Sequence, residues 1–382
     1  MQTHQWIWQH PNWPHFSFHA DRLLKDLGEA SKMIGALEAM SRSISDHENT
    51  AALERVLSDD AMETSAIEGE TLRRSSVRFS IRKRLGLPQE QADQDIRTDG
   101  LIAMLYDARS QILEPLTSTR MLGWHAALFP TGFSGFKKIR VGQYRGLEEM
   151  QIVSGPLGKE TVHYIALPQN RLEMAMEQFL RWVNTNREHP PLLKAGIAHL
   201  WFIMIHPFDD GNGRVGRAII DSIMAVNYPK LMQLISFSKQ FSQDRKGYYA
   251  SLEQAGKGGM DITGWLTWFL QAAITAMQEA QWVVDTVVQK TSFWEMHGQV
   301  PINERQRKVI NRLLDAGGQF IGNMTTRKYA GMTKCSKITA SRDLAALVAK
   351  GVLQKTADGG RSTSYILCME AGPSTGSEYH RF

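Results

Sequence analysis

Between residues 192 and 205 the chain is nearly all apolar, and Pro207 ends the run. The stretch falls short of the ~20 apolar residues that cross a bilayer. A helix that is apolar all round has no face to give to water, so it has to be enclosed by others. That commits the chain to a helical body. Directly behind it follow His206-Pro207-Phe208-Asp209-Asp210-Gly211-Asn212-Gly213-Arg214-Val215-Gly216-Arg217. A second helix is expected from 214 to 224, which puts the charged sequence in a loop between two buried helices.

The loop has the parts needed to hold a phosphate chain and activate a hydroxyl against it. Gly211-Asn212-Gly213 can turn consecutive N–H groups into a concave nest, because glycine reaches backbone angles other residues avoid. The following helix contributes its positive N-terminal end. Arg214 and Arg217 lie three apart on one helix face, and guanidinium groups match phosphate oxygens. Asp210 beside such a cradle would repel phosphate unless a cation intervened. Mg²⁺, held by one carboxylate together with phosphate oxygens and water, is the expected one. His206 titrates near neutrality and suits a general base. Gly211-x-Gly213-x-x-Gly216 formally matches a dinucleotide fingerprint, but its flanks are helical and no acid follows at the required distance. A P-loop is excluded, since Gly-x4-Gly-Lys-Ser/Thr is absent.

Most of the chain to residue 285 reads as helix: 56–67 stopped by Gly69, an apolar periodicity over 96–124, then 239–254 and 262–287. Glycines and Pro156 interrupt this between 135 and 168. There, 150–153 and 161–165 flank a Gly-Pro-Leu-Gly turn and predict a β-hairpin. A linker is expected over 296–302. The tail reads helix (304–316), helix (325–330), helix (337–350), then a hairpin tipped by Gly359-Gly360-Arg361, the order of a winged helix-turn-helix.

Composition is that of an ordinary soluble protein, with 42% apolar and 22% charged residues. The N-terminal MQTHQWIWQHPNWPHF is not a signal peptide, and Cys335 and Cys368 match no metal spacing. A cytoplasmic location with reduced thiols is therefore expected. The net charge of +5 is uneven: 301–382 holds 13 Lys+Arg against 6 Asp+Glu, a balance of +7, so the first 300 residues sum to −2.

The stretch 206–217 resembles the signature loop of Fic proteins, His-x-Phe-x-Asp/Glu-Gly-Asn-Gly-Arg-x-x-Arg, at every fixed position. The resemblance extends over about 95–285. It implies a mainly α fold, a Fic-type helical bundle with a short β-hairpin flap, and AMP transfer from ATP to Ser, Thr or Tyr hydroxyls of a protein. In those terms His206 is the base and Asp210 the Mg²⁺ ligand. Gly211, Asn212, Gly213, Arg214, Gly216 and Arg217 bind ATP, and Phe208 anchors the loop. The 150–165 hairpin aligns the target segment, and Tyr248 lies near the adenine. Thr64-Ser65-Ala66-Ile67-Glu68-Gly69 is similar to the family's inhibitory helix, Ser/Thr-x-x-x-Glu-Gly/Asn. This similarity implies that Glu68, with Thr64, engages Arg217 and excludes the γ-phosphate.

The expected domains are 1–94 with the inhibitory helix, a 95–290 catalytic domain and a 300–370 winged helix-turn-helix. Expected partners are a target protein, a second copy of the chain, and DNA or a protein at the tail, where Lys334, Lys337, Arg342 and Arg361 could meet phosphates; no membrane partner is expected. A DNA-binding regulator, and a Fic variant that removes AMP or moves a phosphoryl group, stay open as alternatives.

Overall fold

The computed structural model describes residues 5–42, 46–89, 94–155, 159–316, 320–356 and 363–369. Residues 156–158 of the expected Gly-Pro-Leu-Gly turn and the wing tip with Arg361 lie outside them. The chain divides into two compact units, Met1–Ala280 and Gln281–Phe382.

The first unit begins with α1 (Ala20–Ser41), α2 (Asp46–Ile67), α3 (Arg74–Arg84), α4 (Ile96–Ser110) and α5 (Ser118–Leu128). Two small antiparallel hairpins follow. The first pairs β1 (Phe133–Ser134) with β2 (Lys137–Lys138), and the second pairs β3 (Gln151–Ser154) with β4 (Thr161–Ile165). Then come α6 (Leu172–Thr185), α7 (Pro191–Ile205), α8 (Asn212–Asn227), α9 (Phe237–Gln243), α10 (Arg245–Lys257) and α11 (Thr263–His297), of which the residues up to Ala280 belong to this unit. The expected enclosure of the apolar run holds, for residues 192–205 of α7 are all buried. Around it pack Phe179 of α6, Ile219 and Ile220 of α8, and Trp265 and Phe269 of α11, all fully buried.

Several boundaries differ from the sequence expectation for local reasons. The 96–124 periodicity is broken between α4 and α5, where Pro115 cannot continue a helix and the Thr117 side chain accepts from Arg120 N at 3.1 Å to start the next. Asp244 likewise divides 239–254 by capping α10 through Gly247 N at 3.1 Å. The β1–β2 hairpin is an element the periodicity did not predict. Helix α11 runs to His297 and takes the first residues of the expected linker.

The middle of α2 is pinned to the core by charge. Asp60 and Asp221 of α8 both pair with Arg109 of α4, the latter at 3.1 Å, and all three side chains are buried. Ser236 donates to the second oxygen of Asp60. The N-terminal segment props the second hairpin: Trp8 Nε1 donates to Ile165 O at 2.7 Å, and Trp6 meets Tyr164 edge-on at 5.5 Å.

The second unit contains α12 (Glu304–Asp315), β5 (Met324–Thr325), α13 (Thr326–Thr333), α14 (Lys337–Ala349), β6 (Leu353–Lys355) and β7 (Ser364–Leu367). Asn303 and Gln306 form a reciprocal cap on α12. The expected order of three helices and a hairpin is present, and β5 adds a third strand in the order β5-β7-β6. Val309, Ile310, Tyr329, Leu344, Leu347 and Val352 form its core. No helix among the described residues is long and apolar enough to cross a membrane.

Candidate active site

The loop from His206 to Gly211 closes on itself. Asn212 accepts from Phe208 N at 2.9 Å and returns its Nδ2–H to Phe208 O at 2.8 Å. Phe208 is fully buried and stacked on His125, centroid to centroid 4.1 Å. His125 in turn donates from Nε2 to Asp210 O (3.1 Å) and accepts Gly142 N–H at Nδ1 (3.1 Å). Burial pulls His125 down to about pKa 4, so it stays neutral and keeps that donor–acceptor pattern.

His206 ends α7 in the left-handed region, with φ 52°, an uncommon place for a side chain larger than Asn. The strain is held by its neighbours. Its N–H donates to Phe202 O at 3.0 Å, and its carbonyl accepts from Arg145 Nε at 2.8 Å. Arg145 also donates to the carbonyls of Leu167 and, through its backbone N–H, Pro207. The imidazole is fixed by Nδ1–H donating to Ile203 O at 3.2 Å, which leaves the Nε2 lone pair for a substrate proton. Burial lowers its pKa to about 4, so the ring is neutral at pH 7.

Gly211 is the helix cap, with φ +81°, and a Cβ there would lie 2.8 Å from the Phe129 ring. Helix α8 starts at Asn212, two residues earlier than expected. The three-residue nest thus becomes one left-handed glycine followed by the open first turn of a helix, whose N–H groups have no intrahelical acceptor. Asp210 stands beside that turn, taking the Ser134 hydroxyl on one oxygen and Gly211 N on the other. Arg140 N binds the neighbouring Asp209 at 2.9 Å.

Both arginines of the motif are buried, and both are engaged by the end of α2. Arg217 donates from Nε to Thr64 Oγ1 (2.7 Å) and from one terminal nitrogen to Glu68 Oε1 (2.7 Å) and Thr64 O (3.1 Å). Burial works most strongly against its charge, but the Glu68 carboxylate together with Tyr248 and Tyr249 holds its pKa above the ordinary value. Its other terminal nitrogen is buried without a partner among the described residues. Arg214 pairs with Glu70 at 2.9 Å and lies over the Phe129 ring at 5.0 Å. A Cβ on Gly213 would come within 2.2 Å of Glu68 Oε1, so the carboxylate rests against the first turn of α8, where an anion is favoured. Gly69, at φ +81°, turns the chain between the two glutamates.

The structure thus brings together His206, Phe208, Asp210, Gly211, Asn212, Gly213, Arg214, Arg217, Thr64 and Glu68. Two further expected residues face inward, and Tyr248 has Arg217 and Glu68 as its charged neighbours. Gly216 faces α7, where a Cβ would lie 3.1 Å from the His199 ring; it is a close-packing position between helices. Tyr248 is turned into the core at 1% exposure, its hydroxyl 2.8 Å from His199 Nε2, and only Tyr249 reaches the surface, with its hydroxyl 3.3 Å from Ile67 O. Residues that the sequence reading missed here are Glu70, Arg145, His125 and Ser134. Glu70 alone had a signal available, as a second acid just past the helix end.

Residues 115–224 match the Fic/DOC family, and residues 6–87 match a domain of unknown function (DUF4172). Two relatives called protein adenylyltransferase Fic, from Drosophila ananassae and Nematostella vectensis, are 26% and 27% identical over 221 and 201 residues. These matches take in 56% and 51% of this chain and 40% and 42% of the relatives, so the chain spans under half the length of the proteins it matches. A Fic family protein from Desulfovibrio desulfuricans shares the fold, with a TM-score of 0.53 at 20% identity over 93% of this chain and 98% of that one. Over residues 115–224, this chain is similar to the Fic/DOC family.

Proposed function

We propose that the chain transfers AMP from ATP to a hydroxyl of a protein side chain and that the end of α2 restrains it. The observation that carries this reading is one assembly: a neutral His206 with a free Nε2, Asp210, the open turn of α8, and two buried arginines each paired with a glutamate. In the reaction His206 Nε2 takes the proton from the acceptor hydroxyl as its oxygen attacks the α-phosphorus. The bond to the β-phosphate oxygen breaks and pyrophosphate leaves. The α8 N–H groups, Arg214 and Arg217 hold the phosphates and offset the charge that develops on them.

The residues fit Mg²⁺. Among the described residues no three His, Cys, Asp or Glu side chains converge, and Asp210 stands 39% exposed beside the anion site. That suits a cation taking one carboxylate and completing its shell with phosphate and water. Asp210 would hold it, and the ion would supply neutralising charge to the phosphates.

Restraint follows from occupancy. Glu68 lies where the first turn of α8 favours an anion and engages Arg217. Glu70 does the same for Arg214. Among the described residues the β3–β4 sheet has two strands, which leaves edges for a target segment to extend by strand addition. A groove of about 770 Å³ lined by Arg140, Gln151, Val153 and Asp209 gives that segment room next to the loop.

The test is intact mass after incubation with Mg·ATP for the unaltered chain, Glu68→Gly, and Glu68→Gly/His206→Ala. A gain of one AMP in the second sample, absent from the third and weak in the first, is the expected result. A gain of phosphate would replace AMP transfer with phosphoryl transfer. AMP loss from a modified target, with no gain anywhere, would reverse the direction of the reaction.

A further inference from the structure

The second unit has a surface that AMP transfer does not use. From 324 to 356 the chain holds seven Lys and Arg and a single acid, Asp343. That acid is turned inward. It accepts from Arg305 Nε (3.0 Å), the Tyr329 hydroxyl (2.9 Å) and Asn303 Nδ2 (3.2 Å), while Gln306 binds its backbone carbonyl at 3.0 Å. The outward face of α14 is consequently free of carboxylates.

That face carries Lys337, Ile338, Ser341, Arg342 and Ala345, all exposed. Positions 337, 338, 341, 342 and 345 share one side of a helix. Ile338 is 69% exposed although Ala340, Leu344 and Leu347 of the same helix are buried to zero, so it is not a core residue that missed its place. A lone apolar side chain between Lys337 and Arg342, beside a hydroxyl and a methyl, matches what base edges in a major groove demand. Arginine pairs with guanine, serine accepts or donates to either, and an aliphatic group meets the thymine methyl. Short Ser341 and Ala345 let the helix approach closely. The presentation is rigid: Lys334, at φ 53°, ends α13, Ser336 caps α14 through Thr339 N at 3.1 Å, and only three residues separate the two helices.

We infer that this unit binds duplex DNA, with the exposed face of α14 in the major groove. The basic excess supplies phosphate attraction without sequence preference, and Arg342 and Ile338 read bases. Duplex RNA is disfavoured, because its major groove is too narrow to admit a helix. The binding is independent of AMP transfer.

The experiment is selection from a random-sequence DNA duplex pool with the full-length chain, then fluorescence anisotropy on the enriched duplex and on a scrambled one of equal composition, at two salt concentrations. The expected result is an enriched sequence bound more tightly than its scramble, weakening as salt rises. Arg342→Ala should lose roughly 5- to 150-fold on the enriched duplex and much less on the scramble. Ile338→Ser should lose less, and its loss should fall on A·T positions. Circular dichroism confirms that each variant is folded, and His206→Ala should bind as the unaltered chain does. Absence of any enriched sequence, or equal loss on both duplexes with Arg342→Ala, would overturn the inference. Concentration-dependent self-association abolished by Ile338→Lys, without DNA binding, would overturn it in favour of a second copy.

Discussion

The loop between α7 and α8 and the end of α2 meet at the same two arginines, yet they are held by opposite means. The loop is fixed by backbone hydrogen bonds, the Asn212–Phe208 pair and a buried ring stack. The α2 end is fixed by carboxylates that keep contact with water: the Glu68 side chain is 25% exposed and that of Glu70 47%. Buried pairing is rigid, and half-exposed ion pairs are weak and replaceable. The loop is therefore firmly held, while the contacts made by the end of α2 are the exchangeable ones. The same contrast recurs within α2. Asp60 is locked in the core two turns before Glu68, so release can be confined to the segment after Thr64 while the helix stays.

The strongest way to break this contrast is His206→Ala in a Glu68→Gly background. AMP transfer should fall by about 10²–10⁴-fold with the fold intact, since a positioned base contributes that much. Activity within a factor of a few would remove His206 as base. Next, Asp60→Ala leaves Arg109 short of a buried partner and should cost about 3–5 kcal/mol in chemical denaturation. A loss below about 1 kcal/mol would mean that the middle of α2 is as loosely held as its end.

Acid should act on the rigid side. His125, His199 and His206 have folded pKa values of about 4, 3 and 4, all pushed down first by burial. Unfolded, each binds a proton near pH 6.5. Between about pH 6.5 and 4 the unfolded chain thus holds more protons, and stability is full above that window and declines as pH falls through it. Urea midpoints at pH 7 and pH 5 measure the decline, and identical midpoints would contradict neutral burial. The smallest effect sharpens the other side: Glu70→Gln should raise AMP transfer no more than about fivefold, as suits a half-exposed pair worth at most about 1 kcal/mol. Glu68→Gly should exceed it. A reversed order would make Arg214 the arginine that limits ATP placement.

How much of this was legible followed the range of the contacts. The apolar α7, the charged loop and the hairpin are local in sequence, and their periodicity and turn residues announce them. Glu68 and Arg217, 149 positions apart, could be joined only through a family resemblance. Arg145 was not readable at all, because it recognises backbone carbonyls, and a carbonyl carries no residue signature. The burial of Tyr248 was legible from periodicity: Tyr248, Leu252 and Ala255 form the buried stripe of α10, which leaves Tyr249 outward. The close approach of Gly216 to α7 was not legible, because a glycine that lets two helices touch looks the same in sequence as one that approaches a ligand.

Arg145 has a mechanical consequence. One guanidinium grips the carbonyl of His206 and that of Leu167, two residues beyond β4. A pull on the hairpin is therefore passed to His206, and under the proposed function a docked target segment would move the hairpin and the proposed base as parts of one jig. Under the proposed function, seating the acceptor and aligning the proton transfer would become a single event, and a poorly seated protein would present its hydroxyl to a base that is itself out of true.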